Sequence, residues 1–268
     1  MKSDGIEELL RHLLFPSHPG RLRCPAMKTK LLPLACVVGI VLTLQLASRS
    51  HPVQAAKDAG WSESVKFPSK EKPVPLWNGK DFEGWEGHTD KYFTAKDGII
   101  VARNGKDDAP KASTYLLTKK KYRNCRLVFE GKLVESKMHS GISLWGEKAP
   151  DMGDPFTYRG HLVMFPEGWG FYDLYRRNSI YQDDGRAKKA EKAGDWNRME
   201  ILATGNRIRL AVNGKLVADW MDPKPELCKE GQIGLQLHSN TVPQEVHFRG
   251  LILSENPEDR MATVEEAK

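Results

Sequence analysis

The chain has 268 residues, of which 40% are hydrophobic and 28% are charged, and its formal net charge is +6. That length allows one or two globular domains, and the apolar fraction is sufficient for a hydrophobic core. The first 55 residues carry most of the charge excess, because the rest of the chain holds 34 of the 41 basic and 32 of the 35 acidic residues. A nearly neutral main part argues against a nucleic-acid partner, and we predict none.

The N-terminal segment has the pattern of an export signal. A basic MKTK precedes an apolar run, Leu31–Ala47, and small residues follow before position 56. We therefore predict a signal peptide at 27–55, an over-extended start at 1–26, and a periplasmic or extracellular protein with no membrane span after cleavage. The apolar run is also just long enough to cross a bilayer, so an uncleaved anchor is the alternative.

The segments at the two ends of the remaining chain lack a lasting hydrophobic period. Residues 56–73 are rich in Lys, Ser and Pro, which predicts a linker or an extended strap over the domain surface. Residues 254–268 form an acidic tail with few large apolar groups. We expect both segments to be loosely held, with a single domain at 74–253.

Between these ends, apolar and polar residues alternate in one short segment after another. Within Tyr122–Val134, for example, apolar side chains alternate with the charged Arg126 and Glu130, as in a strand with one buried face. About eleven strands are predicted in all, without a convincing amphipathic helix. The other runs are Gly98–Arg103, Ser113–Thr118, Ser140–Trp145, His161–Phe165, Trp169–Tyr175, Trp196–Ala203, Asn206–Val212, Lys215–Trp220, Gln232–His238 and Glu245–Leu253.

Turn residues separate these strands. Asn213-Gly214 suits a two-residue turn in which both positions need a positive φ, and Thr204–Asn206 suits the turn before it. The segment Trp196–Trp220 is therefore predicted to be a three-stranded antiparallel meander. Many short strands between such turns favour an all-β fold, a two-sheet antiparallel sandwich, of jelly-roll type if the connections cross between the sheets.

Two cysteines, Cys125 and Cys228, remain after removal of the signal peptide. An exported compartment would permit a disulfide between them. Because the sequence does not give their separation, a disulfide and two free thiols are both open. No cysteine spacing in the chain resembles a zinc site.

Seven segments of this chain, taken in order, are similar to one known family. They are LWNGKDFEGW (76–85), HSGISLWGE (139–147), GFYDLYRR (170–177), AGDWNRMEI (193–201), GNRIRLAVNGKLV (205–217), GQIGLQLHS (231–239) and VHFRGLIL (246–253). Together they resemble the 3-keto-disaccharide hydrolase family over essentially the whole domain. The resemblance implies a concanavalin A-like jelly roll, a bacterial exported protein, and a sugar substrate oxidised to a ketone at C3.

The strand at 158–165 departs from the family pattern. It reads YRGHLVMF where the family has roughly YEVQILD, so both family carboxylates are replaced. His161 takes a polar family position and shares a strand face with Arg159 two residues away. This pair could replace a carboxylate as base and oxyanion donor, and a non-catalytic homologue is the alternative. Trp145 stands about where the family carries an arginine.

A ketone at C3 acidifies the C2 hydrogen, so that a base can remove it, the group at C1 can leave, and water can then add. This route needs a base of near-neutral pKa and a donor facing the ketone oxygen. His238, which ends the strand GLQLHS, is the first candidate base or acid, and a strand-capping role is its alternative. Asp173, beside aromatic residues, is a candidate for proton transfer, unless it is a surface partner of Arg176 or Arg177.

Several further side chains could bind the sugar. Arg249 matches a family position and could bind a hydroxyl or the ketone, or else form a structural ion pair, perhaps with Glu200. The indoles and phenol among the candidates could stack on sugar rings, whose C–H faces are apolar. The predicted substrate-binding set is His139, Trp145, Arg159, Trp169, Tyr175, Gln236 and Arg249. The four tryptophans predicted to pack in the core or in turns are Trp77, Trp85, Trp196 and Trp220.

These features favour an exported hydrolase or lyase-type glycosidase that acts on 3-keto-glycosides in one cleft. The predicted catalytic residues are His161, Asp173 and His238, and they could bind a divalent metal only if the fold brings them together. The cofactor is otherwise open, and the expected partner is a carbohydrate. A non-catalytic carbohydrate-binding module and a structural cell-surface module are the alternatives.

Overall fold

The computed structural model describes residues 65–264, and within them fifteen strands form nearly all of the regular structure. The strands are β1 Val74–Pro75, β2 Trp85–Glu86, β3 Phe93–Lys96, β4 Ile99–Asn104, β5 Thr114–Tyr122, β6 Cys125–Glu135, β7 Ser140–Lys148, β8 Tyr158–Phe165, β9 Gly170–Asp173, β10 Asn178–Gln182, β11 Asn197–Thr204, β12 Arg207–Val212, β13 Lys215–Met221, β14 Gly231–Leu237 and β15 Gln244–Glu255. A short helix, α1, spans Arg186–Ala190, and 3₁₀ turns occupy Pro150–Met152 and Pro225–Leu227. None of these helices is long and apolar enough to cross a membrane.

The strands form two antiparallel sheets. Sheet A has the order β13-β12-β11-β6-β15-β4-β3, with β1 paired to β15, and sheet B has the order β10-β9-β8-β7-β14-β5-β2. The predicted all-β sandwich is therefore confirmed, and each of the eleven expected runs overlaps an observed strand. The sequence pattern missed β1, β2, β3, β10 and α1, which have two to five residues each. Such short segments show no clear period.

The predicted meander is confirmed as β11, β12 and β13 in sheet A. Asn213 and Gly214 form the turn between β12 and β13, with φ of 48° and 84°. Positive φ at both central positions matches the turn that fits the strand twist of a hairpin. The local turn chemistry therefore sets this part of the topology.

Aromatic side chains between the sheets hold them together. Phe165 of β8 packs at 5.3 Å from Phe129 of β6 and at 5.6 Å from Phe248 of β15, measured between ring centroids. All three rings are fully buried, and burying one such side chain stabilises a fold by about 1.5–3 kcal/mol. Gly131 leaves room for Phe165, because a Cβ there would lie 2.5 Å from the Phe165 ring.

The connection between β7 and β8 crosses the outer face of sheet B, which is the face turned away from sheet A. Its Phe156 carbonyl accepts a hydrogen bond from the Tyr115 amide (3.1 Å), and its Asp154 accepts one from the Thr114 hydroxyl (2.9 Å). Because β14 lies between β7 and β5 in the sheet, this connection must pass over β14 to reach β5. The phenol of Tyr158 donates to the Gln232 carbonyl on β14 (2.6 Å).

One buried cation, Arg126 of β6, holds the segment before β1 and the segment after β15 against sheet A. Its guanidinium donates to both Glu71 carboxylate oxygens, at 2.8 and 3.0 Å, and also pairs with Glu200 of β11. Glu200 in turn accepts hydrogen bonds from the backbone amides of Ala262 and Thr263. The expectation that both ends are loosely held is wrong for 65–73 and 254–264. The buried charges of Arg126, Glu71 and Glu200 need these hydrogen-bond partners, and both segments are therefore held against the sheet.

The described part of the predicted linker behaves as a strap. Val65 and Phe67 pack against Val128 and Ile252 on the outer face of sheet A. The predicted signal peptide and over-extended start lie outside the described residues. Their boundaries remain predictions.

The disulfide expected as one of two options is absent, because Cys125 and Cys228 are both free thiols. Cys125 begins β6 in sheet A, paired in register with Ala203 of β11. Cys228 follows the 3₁₀ turn that leads into β14 of sheet B. Both thiols are buried, and burial raises the pKa of each to about 12.

The Arg126→Ala variant should lower the free energy of unfolding by about 3–5 kcal/mol, because it leaves two carboxylates without their buried cation. Denaturant unfolding of the variant and the parent protein measures this difference. The matched control is Arg207→Ala, which breaks an exposed pair with Asp219 and should cost about 1 kcal/mol or less. Equal losses in the two variants would contradict the structural role of Arg126.

Candidate functional site on the outer face of sheet B

His161 and Asp173 lie in the interior between the sheets and not in a cleft. They are cross-strand partners on β8 and β9, and both are fully buried. His161 Nε2 lies 2.5 Å from Asp222 Oδ2, and the Asp173 carboxylate pairs with Arg176. The predicted cleft containing both residues is wrong, because His161 has the same strand parity as the core residue Val163.

Two of the aromatic side chains predicted to stack on sugar are core residues. Trp145 is 1% exposed and donates its indole N–H to the Arg123 carbonyl at 2.6 Å. Trp169 is 6% exposed and donates to Glu191 at 2.8 Å. Tyr175 is half-buried, with its hydroxyl 3.4 Å from the Trp145 carbonyl. The stacking role predicted for the two tryptophans is therefore wrong.

The two predicted arginines are engaged elsewhere. Arg159 pairs with Asp151 at 2.5 Å and is partly exposed, so it does not act with His161. Arg249 lies on the outer face of sheet A, where it donates to Glu130 at 2.6 Å and stacks 4.0 Å from the Trp196 ring. A structural ion pair is confirmed for Arg249, although its partner is Glu130 and not Glu200. The sandwich separates Arg249 from the outer face of sheet B.

Three of the predicted residues do come together. His139 and His238 sit opposite each other where β7 begins and β14 ends, with ring centroids 4.7 Å apart in an edge-to-face arrangement. The register that pairs Gly234 with Ser143 places them there. Gln236 precedes His238 by two residues and therefore shares its face.

Sequence reasoning missed three further members of this group, Tyr115, Ser143 and Arg177. The Gln236 amide donates to the Tyr115 hydroxyl at 2.9 Å. Ser143 of β7 points to the same outer face of sheet B. The charge of Arg177 acts on both Tyr115 and His238. We call these six residues the outer-face cluster; its members are Tyr115, His139, Ser143, Arg177, Gln236 and His238.

A stricter reading of strand parity would have found two of the missed residues. Tyr115 alternates with the core residue Leu116, and Ser143 alternates with the core residue Ile142. Arg177 follows β9 with a φ of 58°, and such a backbone conformation is not apparent from sequence for a non-glycine residue. It was considered only as a partner of Asp173.

Three polar atoms of the outer-face cluster are buried without a hydrogen-bond partner in the described part of the chain. They are Ser143 Oγ, Gln236 Oε1 and His238 Nδ1. Well over nine in ten buried polar groups in native proteins are hydrogen-bonded, so three such atoms on one face indicate a place for a polar ligand or water. The surrounding floor is apolar, formed by Leu117, Leu162 and neighbouring side chains.

The electrostatics keep both imidazoles of the outer-face cluster neutral. Burial, together with the neighbouring His238, lowers the pKa of His139 to about 4. Burial also lowers the pKa of His238; a hydrogen bond with the Ser239 backbone opposes this shift, and the positive charge of Arg177 adds to it. No carboxylate within residues 65–264 pairs with the Arg177 guanidinium. The cluster therefore offers proton acceptors beside a cationic donor.

A comparison against protein families identifies the domain. The model of the 3-keto-alpha-glucoside-1,2-lyase-like domain matches residues 72–253. The chain belongs to this family. The expected resemblance, with its jelly-roll architecture, is thus confirmed. The match begins two residues before the predicted domain and ends at the same residue.

Solved structures show the same fold for this lyase-like domain. A candidate glycosyl hydrolase from Parabacteroides distasonis aligns with a TM-score of 0.51 at 19% identity, covering 68% of this chain and 93% of that one. A Bacillus subtilis protein of unknown function with a galectin-like fold aligns with a TM-score of 0.50 at 11% identity, covering 71% and 98% of the two chains. A search of curated proteins found no match.

The fold does not bring together the three residues that could have bound a divalent metal. His161 faces the interior with Asp222, whereas His238 faces outward next to His139. One layer of sheet B lies between them. The condition for a shared metal site of His161, Asp173 and His238 is therefore not met.

The buried His139 should make the domain less stable in mild acid. Its pKa is about 4 when folded and 6.5 as a free side chain, so between these values the unfolded chain binds the extra proton. The free energy of unfolding should fall as the pH drops, and His139→Gln should remove about 1–2 kcal/mol of the loss between about pH 7 and about pH 5. Denaturant unfolding at both pH values, in variant and parent, measures this. An identical pH dependence in both proteins would contradict it.

Proposed function

We propose that the domain binds an oxidised sugar on the outer-face cluster and cleaves its glycosidic bond by elimination and then hydration. The observation that carries this proposal is the pair of imidazoles whose pKa burial lowers, together with three buried polar atoms without a partner, one of which is His238 Nδ1. The family of the domain supports a carbohydrate as the ligand. The apolar floor suits the C–H face of a pyranose ring.

In this mechanism His238 is the base. The imidazole removes the C2 proton, which a C3 ketone makes acidic, and the electrons of that bond form an enolate on the ketone oxygen. The positive charge of Arg177 and the polar hydrogens of Tyr115 and Gln236 stabilise this oxyanion. When the enolate collapses, C1=C2 forms, the C1–O bond breaks, and the departing oxygen takes the proton from His238. Water then adds across C1=C2.

The other members of the outer-face cluster position these groups. The His139 ring lies edge-on to His238 at 4.7 Å between centroids, which restricts the orientation of the base. The Ser143 hydroxyl is unpartnered and fully buried, so it can bind a sugar hydroxyl only if neighbouring side chains move. Because His139 stays neutral, the positive charge near the substrate is carried by Arg177 and by His238 after it has taken the C2 proton.

A non-catalytic carbohydrate-binding module is the second candidate function. Strand β8, which reads YRGHLVMF, offers no carboxylate to either face. The polar side chain at its centre, His161, is fully buried and turned to the interior. A module of this kind would keep the polar atoms of the outer-face cluster for sugar hydroxyls without a competent base.

Incubation of the secreted protein with 3-keto-trehalose and 3-keto-glucosides separates the two functions. We expect loss of the keto-sugar and release of free sugar, and the rate should fall at least about 100-fold in His238→Gln because general base catalysis contributes that much. The matched control is His247→Gln, since His247 pairs with Glu245 far from this face and should leave the rate unchanged. Binding without turnover would support the module, and an unchanged rate in His238→Gln would remove His238 from the mechanism.

Export through residues 27–55 is part of the same proposal. If the signal is cleaved, the protein recovered outside the cytoplasm begins at Ala56, as the small residues before that position require. Intact-mass measurement of the exported protein tests this. A mass that retains 27–55 would instead support the membrane anchor.

A further inference from the structure

A second polar group lies in the interior, on the opposite side of sheet B from the outer-face cluster. His161 of β8, Asp222 after β13 and Cys228 before β14 are each fully buried. One ligand atom from each residue lies within 4.8 Å of the other two. Asp222 and Cys228 lie in the connection between β13 of sheet A and β14 of sheet B, and His161 lies on β8.

The donor types match a zinc-class ion. Zinc binds cysteine sulfur at about 2.3 Å and histidine nitrogen or carboxylate oxygen at about 2.0–2.2 Å, in a roughly tetrahedral arrangement. The ligand atoms around such an ion are then about 3.3–3.8 Å apart, so the observed cluster needs shifts on the order of 1 Å. The short contact between His161 and Asp222, 2.5 Å, must lengthen as the ion binds at His161 Nε2, and the imidazole proton then lies on Nδ1.

The contacts of the three residues leave a ligand role open. His161 Nδ1 is buried and has no hydrogen-bond partner within residues 65–264. The His161 ring is held edge-on by Trp145 at 5.4 Å and faces Trp220 at 6.1 Å. Such packing restricts the orientation of the ring.

The local charge also favours a cation. Asp222 and Asp173 are buried carboxylates, and Arg176 pairs with Asp173 and lies 3.8 Å from Asp222. The two carboxylates and the one guanidinium leave one net negative charge among these three side chains. The charges of Arg123 and Glu226, which are opposite in sign, also act on Cys228. A divalent ion bound to the Cys228 thiolate would bring the sum to zero, which removes the cost of a buried uncompensated charge.

We propose that His161, Asp222 and Cys228 bind one divalent ion of the zinc class, which fastens the connection between β13 and β14 to strand β8. The thiol proton of Cys228 leaves on binding, and the thiolate sulfur becomes a metal ligand. The site is structural, because it lies between the sheets and is separated from the outer-face cluster by sheet B. It is independent of the sugar chemistry proposed above.

Metal titration of the full-length protein, stripped with a chelator, tests the site. Zinc should bind at about one ion per chain and raise the unfolding temperature. Cobalt should give a thiolate charge-transfer band in the near ultraviolet. Cys228→Ser should abolish the band, whereas the matched Cys125→Ser should retain it, because Cys125 lies in sheet A, outside the cluster.

The histidines provide a second comparison that separates this site from the proposed enzymatic site. His161→Gln should lose the zinc-dependent gain in unfolding temperature, and His238→Gln should keep it. Circular dichroism checks that each variant is folded before metal is added. If a variant does not fold, the parent protein still decides, since the absence of both zinc binding and the cobalt band would overturn the proposal. A band that persists in Cys228→Ser would overturn it as well.

Discussion

Strand β8 can present each side chain to only one face of sheet B, because successive side chains in a strand point to opposite sides. The packing of Phe165 between Phe129 and Phe248 fixes this choice. His161 must then face the interior, while Leu162 lies on the outer face. A shift of one residue would exchange the two faces and expose the core aromatic ring. Core packing therefore decides where the polar chemistry of the domain can lie.

Sheet B consequently separates two polar centres, and the turn after β9 contributes to both. Arg176 extends to the interior, where it pairs with Asp173 and approaches Asp222. Arg177, the next residue, acts on the outer face through Tyr115 and His238. Adjacent residues can serve opposite faces in this way because a turn with a positive φ reverses the direction of the chain. The connection between β9 and β10 thus places one arginine at the proposed catalytic surface and another beside the proposed structural metal site.

Local patterns in the sequence were sufficient for the architecture. Alternation over two residues predicted the strands, and the Asn213-Gly214 turn predicted the meander that β11, β12 and β13 form. Gln236 and His238 share a face of β14 by the same alternation. These features depend on neighbours only a few positions apart, so the printed sequence contains the information that determines them.

The partners of buried charges were decided by the tertiary structure. His161 meets Asp222 across 61 positions of the chain, and Arg249 meets Glu130 across 119. Such contacts depend on the order in which strands pair and on which face of each strand the core covers. Neither property is local, so composition and period could not distinguish an inward histidine from an outward one. The sequence determined the strands, their turns and the family, and the packing of the two sheets decided which side chains could act together.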